Sequence, residues 1–76
     1  MPSRRVGLIG CGTIGSQLAI AIDSGKVSNA TLVSLFDVVT ENAQSLQGRL
    51  EHRAEIFGYF DRFLQSEIDT IIEAAS

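Results

Sequence analysis

Three glycines near the start of the chain have a spacing that could hold a diphosphate. Gly10, Gly12 and Gly15 follow a short apolar run directly. The first glycine allows a tight turn, the second lets backbone approach a ligand, and the third lets a helix pack closely on a strand. Free N–H groups in the helix's first turn would face the phosphates, helped by the helix dipole. The pattern predicts a pyrophosphate site formed by Gly10-Cys11-Gly12-Thr13-Ile14-Gly15.

An acidic residue follows at the distance expected of a ribose-binding carboxylate. Asp37 lies 22 residues beyond Gly15, and a dinucleotide site has an acid about 20 residues on. Its carboxylate can accept hydrogen bonds from the adenosine ribose hydroxyls, and it would repel a 2′-phosphate that neither Val38 nor Val39 could neutralise. The sequence therefore predicts NAD in preference to NADP, with NADP possible. FAD is an alternative, because its sites use a similar loop and acid.

The segments around these residues predict alternating strands and helices. Residues 6–9 are nearly continuously apolar, as a central parallel strand is. A helix is expected from Thr13 to Ser24, with an apolar face and with Gly25 ending it. The second strand is expected at Ala30–Phe36 because of its β-branched and apolar residues. The apolar face of the helix is predicted from residues that recur every fourth position, Ile14, Leu18 and Ile22, with the small Ala19 and Ala21 beside them.

The second half continues the alternation. Thr40 is the expected N-cap of a helix that runs to about Arg53, although Gly48 weakens it. A very short edge strand is expected at 56–57, a brief helix capped by Asp61 through Gln65, and a last strand at 69–74. The order β-α-β-α-(β)-α-β predicts an α/β fold with a three-layer parallel sheet built by right-handed crossovers, which is a partial Rossmann fold.

The bulk composition limits the size and the partners of the chain. With 76 residues, 45% hydrophobic and 20% charged, residues 1–76 are expected to form part of a single dinucleotide-binding domain. A net charge of −3 gives no electrostatic basis for binding nucleic acid. No apolar run approaches the roughly 20 residues of a transmembrane helix, and the single Cys11 suits a reducing compartment. The expected location is the cytoplasm.

The two ends of the chain resemble one family of enzymes. Residues 6–15 resemble the opening of the L-aspartate dehydrogenase family, which many homoserine-dehydrogenase-like enzymes share. Residues 63–76, ending in Glu73-Ala74-Ala75-Ser76, resemble that family's short helix, strand and Glu-Ala-Ala-Ser ending. Between 40 and 59 only the general pattern matches.

The resemblance implies an NAD(P)-dependent amino-acid dehydrogenase that converts L-aspartate to iminoaspartate, and hence to oxaloacetate and ammonia or into NAD biosynthesis. It places Ala74, Ala75 and Ser76 beside the nicotinamide-side ribose. It also implies truncation before the second half of the fold and before a catalytic domain that holds the catalytic histidine, so the chain alone is expected to be inactive. The full-length protein is expected to be a homo-oligomer. Alternatives are another homoserine-dehydrogenase-like oxidoreductase and a non-catalytic NAD-sensing regulatory module.

The other chemically capable residues have simpler explanations. Cys11 could be an oxidisable thiol at a helix N-terminus, but a small filler residue is the expected role. His52 is expected to be solvated on the second helix, far from the site, and Glu73 to be structural. The aromatic residues are expected to form core beneath the short helix: Phe57, Tyr59, Phe60 and Phe63.

Overall fold

The computed structural model describes residues 3–75 and has strands and helices in the predicted order. Strands and helices alternate without exception, and the very short third strand that the sequence predicted is present. Their bounds are β1 (Arg4–Ile9), α1 (Thr13–Asp23), β2 (Ala30–Phe36), α2 (Thr40–Gln47), β3 (Glu55–Ile56), α3 (Phe60–Leu64) and β4 (Thr70–Glu73).

The four strands form one parallel sheet in the order β3-β2-β1-β4. The chain moves outward from β1 through β2 to β3 and then returns across the sheet to β4, so right-handed crossovers place α3 on the opposite face from α1 and α2. The contacts agree: Val6 and Leu8 of β1 belong to one core cluster with Ala19 of α1, whereas a Cβ on Gly7 would meet Phe63 of α3. The α/β fold and the three-layer parallel sheet are confirmed.

The buried face of α1 differs from the predicted one. Ile14 and Leu18 are 64% and 41% exposed. Of the predicted face, Ile22 and the neighbouring Ala19 are buried. The buried residues are mostly small: Gly15, Ser16, Ala19 and Ile22. The prediction from apolar periodicity was wrong because α1 lies so close to the sheet at its N-terminus that a large side chain would not fit there.

The helix ends were also predicted incorrectly in three places. α2 ends at Gln47 with Gly48 as its C-cap, so His52 lies in the following loop and not on the helix. Thr40 is the first residue of α2 rather than its cap. Asp61 lies within the first turn of α3, which begins at Phe60. α2 stops early because the glycine weakens the helix and because backbone N–H groups beyond it have another acceptor.

That acceptor is the carboxylate of Asp23, at the end of α1. The backbone N–H groups of Glu51 and His52 donate to it over 2.6 and 3.0 Å, and the His52 ring Nδ1 lies 3.1 Å from Oδ1. The Asp23 side chain is 6% exposed and that of His52 is 77% exposed. Asp23 therefore fixes the loop after α2 against the end of α1.

This arrangement predicts an acid-sensitive contribution to stability. Burial acts to raise the pKa of Asp23, but the hydrogen bonds from Glu51 and His52 lower it below 3.8. A lowered pKa means that the stabilisation is present above pH 3.8 and is lost as the pH falls below it. We expect Asp23→Asn to reduce the free energy of unfolding at neutral pH by about 1–3 kcal/mol, and this deficit should shrink in acid. Urea denaturation across the pH range measures it.

His52→Ala is the control for that prediction. It removes only an exposed partner, so we expect a change within about 0.5 kcal/mol. A larger loss for His52→Ala than for Asp23→Asn would contradict the assignment of the backbone contacts as the stabilising ones.

The aromatic residues are buried to different extents. Phe63 is fully buried, and its ring centroid lies 6.0 Å from that of Phe36 and 6.4 Å from that of Phe57. Tyr59 and Phe60 are 74% and 46% exposed. The prediction of an aromatic core was right for Phe63 and wrong for Tyr59 and Phe60.

β4 is one of the two edge strands of the sheet, and β3 is the other. Ile71 on β4 is 45% exposed, and β4 pairs on one side with β1. Across residues 3–75, α1 is the longest helix at 11 residues, and no helix is both long and apolar enough to cross a bilayer.

Candidate functional site

The predicted site residues that the structure describes lie along the edge of the sheet that is formed by the carboxyl ends of its strands. Ile9, Phe36 and Glu73 are register neighbours at the carboxyl ends of β1, β2 and β4. The glycine loop, Asp37 and Ala74-Ala75 follow directly after these three strands. Ser76 lies outside the described residues. This edge is where ligands bind in open parallel sheets.

Two of the three glycines are required by the fold. Gly10 has φ +92°, and a Cβ there would lie 2.5 Å from the backbone nitrogen of Ala75. A Cβ on Gly15 would overlap the carbonyl oxygen of Gly10. These two residues let β1, the start of α1 and the end of β4 meet without clashes.

Gly12 has no such structural requirement. Its backbone is extended, with φ −78° and ψ −157°, so any residue could adopt it. Apart from its neighbours along the chain, a Cβ built on Gly12 would have no protein atom within 4 Å. It is the N-cap of α1 and supplies no side-chain cap to the helix. The absence of a side chain therefore leaves open space in front of the N-terminus of α1, where an anion could approach the backbone N–H groups.

Asp37 connects β2 to the glycine loop. Its Oδ2 accepts a hydrogen bond from the Cys11 N–H over 2.7 Å, and its Oδ1 accepts one from the Val39 N–H over 2.8 Å. Sequence reasoning assigned Asp37 only a ligand and missed its role within the loop. A carboxylate has about four lone-pair sites, so both oxygens retain acceptor capacity for hydroxyl donors.

Cys11 is buried and is not activated. Its side chain is 4% exposed, and Sγ lies 3.8 Å from the Phe36 carbonyl oxygen. Burial, and then the negative charge of Asp37, raise the pKa of the thiol to about 11. These effects exceed any lowering by the helix N-terminus, which agrees with a filler role and not with an oxidisable thiol.

The raised pKa predicts slow alkylation. The thiolate is the reactive form, so at neutral pH we expect iodoacetamide to modify Cys11 at least about tenfold more slowly in the folded chain than in urea. Mass spectrometry follows the modification. Because the folded pKa lies above the ordinary value of 9.0, stability should decrease as the pH rises from there towards 11. Equal alkylation rates in both states would contradict the burial of the thiol.

Ser16 is a loop contact that the sequence analysis missed. Its hydroxyl is 6% exposed and donates to the Cys11 carbonyl oxygen over 3.0 Å. Neither spacing nor residue type distinguishes it from other serines on a helix. Only the fold brings it against the loop.

The remaining polar candidates have structural contacts. Glu73 Oε1 accepts a hydrogen bond from the Ala75 N–H over 2.6 Å and so holds the end of β4. His52 lies with Asp23 at the opposite edge of the sheet, which is formed by the amino ends of the strands. Cavities of about 250 and 380 Å³ also lie towards that edge, and neither is lined by a residue of the glycine loop. The candidate site, which we call the groove, is therefore distinct from both of these cavities.

Comparisons with known proteins agree with this geometry. No family model matches the chain. L-aspartate dehydrogenase from Nitrosopumilus maritimus is 37% identical over 96% of the chain, and that from Methanocaldococcus jannaschii is 29% identical over 95%. The chain spans 26% of the length of each. The resemblance to L-aspartate dehydrogenases is therefore confirmed.

A solved structure shows a similar fold. Scyllo-inositol dehydrogenase from Lactobacillus casei, with bound NAD(H) and scyllo-inositol, superposes with a TM-score of 0.83 at 25% identity. The match covers 97% of this chain and 22% of that protein. The matched part is again about a quarter of a dehydrogenase.

Proposed function

We propose that this chain binds NAD at the glycine loop and forms the cofactor-binding part of an L-aspartate dehydrogenase. The observation that supports this best is Gly12, whose missing side chain serves no purpose within the fold and leaves the N-terminus of α1 open. The similarity to L-aspartate dehydrogenases supports the type of enzyme, and the NAD(H)-bound inositol dehydrogenase supports the cofactor.

Each part of the groove has a role in holding the cofactor. The backbone N–H groups from Gly12 to Gly15 bind the pyrophosphate, so Thr13 and Ile14 contribute backbone rather than side chains. Cys11 shapes the loop through its backbone contacts with Asp37 and Ser16. The remaining acceptor capacity of Asp37 binds the adenosine ribose hydroxyls. Ala74 and Ala75, after β4, lie beside the nicotinamide-side ribose. The bound nicotinamide supplies the two-electron acceptor for oxidising the substrate.

Cofactor choice follows from the charge at Asp37. A 2′-phosphate would face this carboxylate, and the next residues, Val38 and Val39, are 88% and 48% exposed without offering a cation. Calorimetric titration with NAD, NADP and FAD tests the choice. We expect NAD to bind at least about tenfold more tightly than NADP. Equal binding of NAD and NADP, or tighter binding of FAD, would overturn it.

The proposed reaction of the complete enzyme is oxidation of L-aspartate to iminoaspartate, which yields oxaloacetate and ammonia. The 76 residues alone are proposed to be inactive, because their one histidine, His52, lies at the opposite edge of the sheet. An assay of aspartate-dependent NADH formation by the purified chain tests this. We expect no NADH, and turnover would contradict the proposal.

Two alternatives are less well supported. An NAD-sensing module would use the same loop and acid, but the relatives and the solved structure described above are dehydrogenases. Another homoserine-dehydrogenase-like oxidoreductase would share the loop, whereas similarity to L-aspartate dehydrogenases extends over 95% of the chain or more. We also propose that the full-length protein is a homo-oligomer and that it is located in the cytoplasm.

A further inference from the structure

The backbone of Cys11 is held at both of its polar groups. Its N–H donates to Asp37 Oδ2 over 2.7 Å, and its carbonyl oxygen accepts from the Ser16 hydroxyl over 3.0 Å. Cys11 and Ser16 are 4% and 6% exposed, so neither contact competes freely with water. This residue immediately precedes Gly12, at the entrance to α1.

We propose that Ser16 is a positioning residue that fixes the Cys11–Gly12 peptide in the orientation needed to receive a diphosphate. This inference rests on the proposed NAD-binding function and assigns a further residue to it. Nothing in the G-x-G-x-x-G pattern includes position 16.

The argument follows from the geometry of the peptide unit. In a trans peptide the carbonyl of Cys11 and the N–H of Gly12 point in opposite directions. By holding the carbonyl oxygen against the first turn of α1, Ser16 directs the Gly12 N–H away from the helix. It also keeps the negative end of the carbonyl dipole away from an approaching anion. Both effects favour binding of a negatively charged diphosphate.

Without the hydroxyl, the peptide loses this constraint. Ser16→Ala leaves the Cys11 carbonyl without its side-chain donor, so rotation of the peptide becomes easier. Asp37 still holds the Cys11 N–H, and the loop therefore weakens without losing its path. The expected result is reduced affinity for NAD in a folded chain.

A matched pair of serine variants separates positioning from general stability. Ser34 is also buried, at 1% exposure, and its hydroxyl donates over 3.0 Å to that of Ser66, which follows α3 and is not part of the glycine loop. Ser16→Ala and Ser34→Ala each remove one buried hydroxyl. We expect similar losses in thermal stability, but an approximately five- to tenfold rise in the Kd for NAD only for Ser16→Ala.

The experiment is an NMR titration of the 15N-labelled 76-residue chain with NAD, which measures weak binding and reports on individual N–H groups. Ser16→Ala should also shift the Gly12 resonance in the free chain, whereas Ser34→Ala should not. If Ser16→Ala does not fold, Ser16→Cys keeps the volume with a weak donor, and a smaller rise in Kd is expected.

The outcomes distinguish this inference from the function on which it rests. Equal NAD affinity for the wild type and for Ser16→Ala, or for Ser16→Cys where that variant is used, overturns the role of Ser16 and leaves the proposed function intact. Equal weakening by Ser34→Ala also overturns it, since the effect would then be general. Absence of NAD binding by the wild type overturns both.

Discussion

Replacing Gly12 with valine is expected to lower NAD affinity about 100-fold while the chain remains folded. The substitution fills the space in front of α1, and losing one or two hydrogen bonds from backbone N–H to a charged phosphate costs about 1.5–3 kcal/mol each. Stability should change by no more than about 1 kcal/mol, because the backbone at Gly12 is extended and no residue other than its chain neighbours lies within 4 Å of the new Cβ. Calorimetry with NAD and urea denaturation measure the two effects.

A smaller substitution and a distant glycine serve as controls. Gly12→Ala should give a smaller loss, of about tenfold in affinity. Gly48→Ala places a Cβ in ordinary contact, 3.6 Å from the Ser45 carbonyl oxygen, and lies away from the groove. It should leave NAD binding unchanged. If Gly12→Val bound NAD as the wild type does, the assignment of the phosphate site would be wrong.

Gly15→Ala should show the opposite pattern to Gly12→Val. It should reduce the stability of the chain and cause no specific loss of NAD affinity. Helix propensity alone would make alanine more favourable by about 1 kcal/mol. The new Cβ would instead overlap the Gly10 carbonyl oxygen and pack against Ala74. Because the first clash is with backbone, we expect a net loss of about 3 kcal/mol or more. A domain of this size is stabilised by only about 4–11 kcal/mol.

Urea denaturation followed by circular dichroism measures that loss, with Gly48→Ala again as the control for a glycine-to-alanine change. Unchanged or increased stability of Gly15→Ala would contradict the close approach of α1 to β1. The contrast between Gly12 and Gly15 separates the glycine that serves a ligand from the one that serves the fold.

The order of strands and helices along the chain and the position of the candidate site could be predicted from the sequence because they depend on short-range patterns. Apolar runs at β1, β2 and β4 and the helical segments between them indicated parallel pairing. The crossover rule then placed the loop after β1 beside Asp37. These features need only residue type and spacing.

The errors arose where distant parts of the chain decide the local structure. Ile14 and Leu18 have helical periodicity, but the closeness of α1 to β1 selects small residues for the buried face. α2 ends before His52 because the Asp23 carboxylate, far away in sequence, accepts the following N–H groups. The contacts of Ser16 and Asp37 with Cys11 depend on the same long-range geometry, so no local signal could have revealed them.

The most direct test of the central claim is the response of individual N–H groups to NAD in the 15N-labelled wild-type chain. We predict saturable shifts for Cys11, Gly12 and Thr13, and no shift for Glu51 and His52 at the opposite edge of the sheet. Shifts confined to that opposite edge, or no saturable shift at the glycine loop, would contradict NAD binding at the N-terminus of α1.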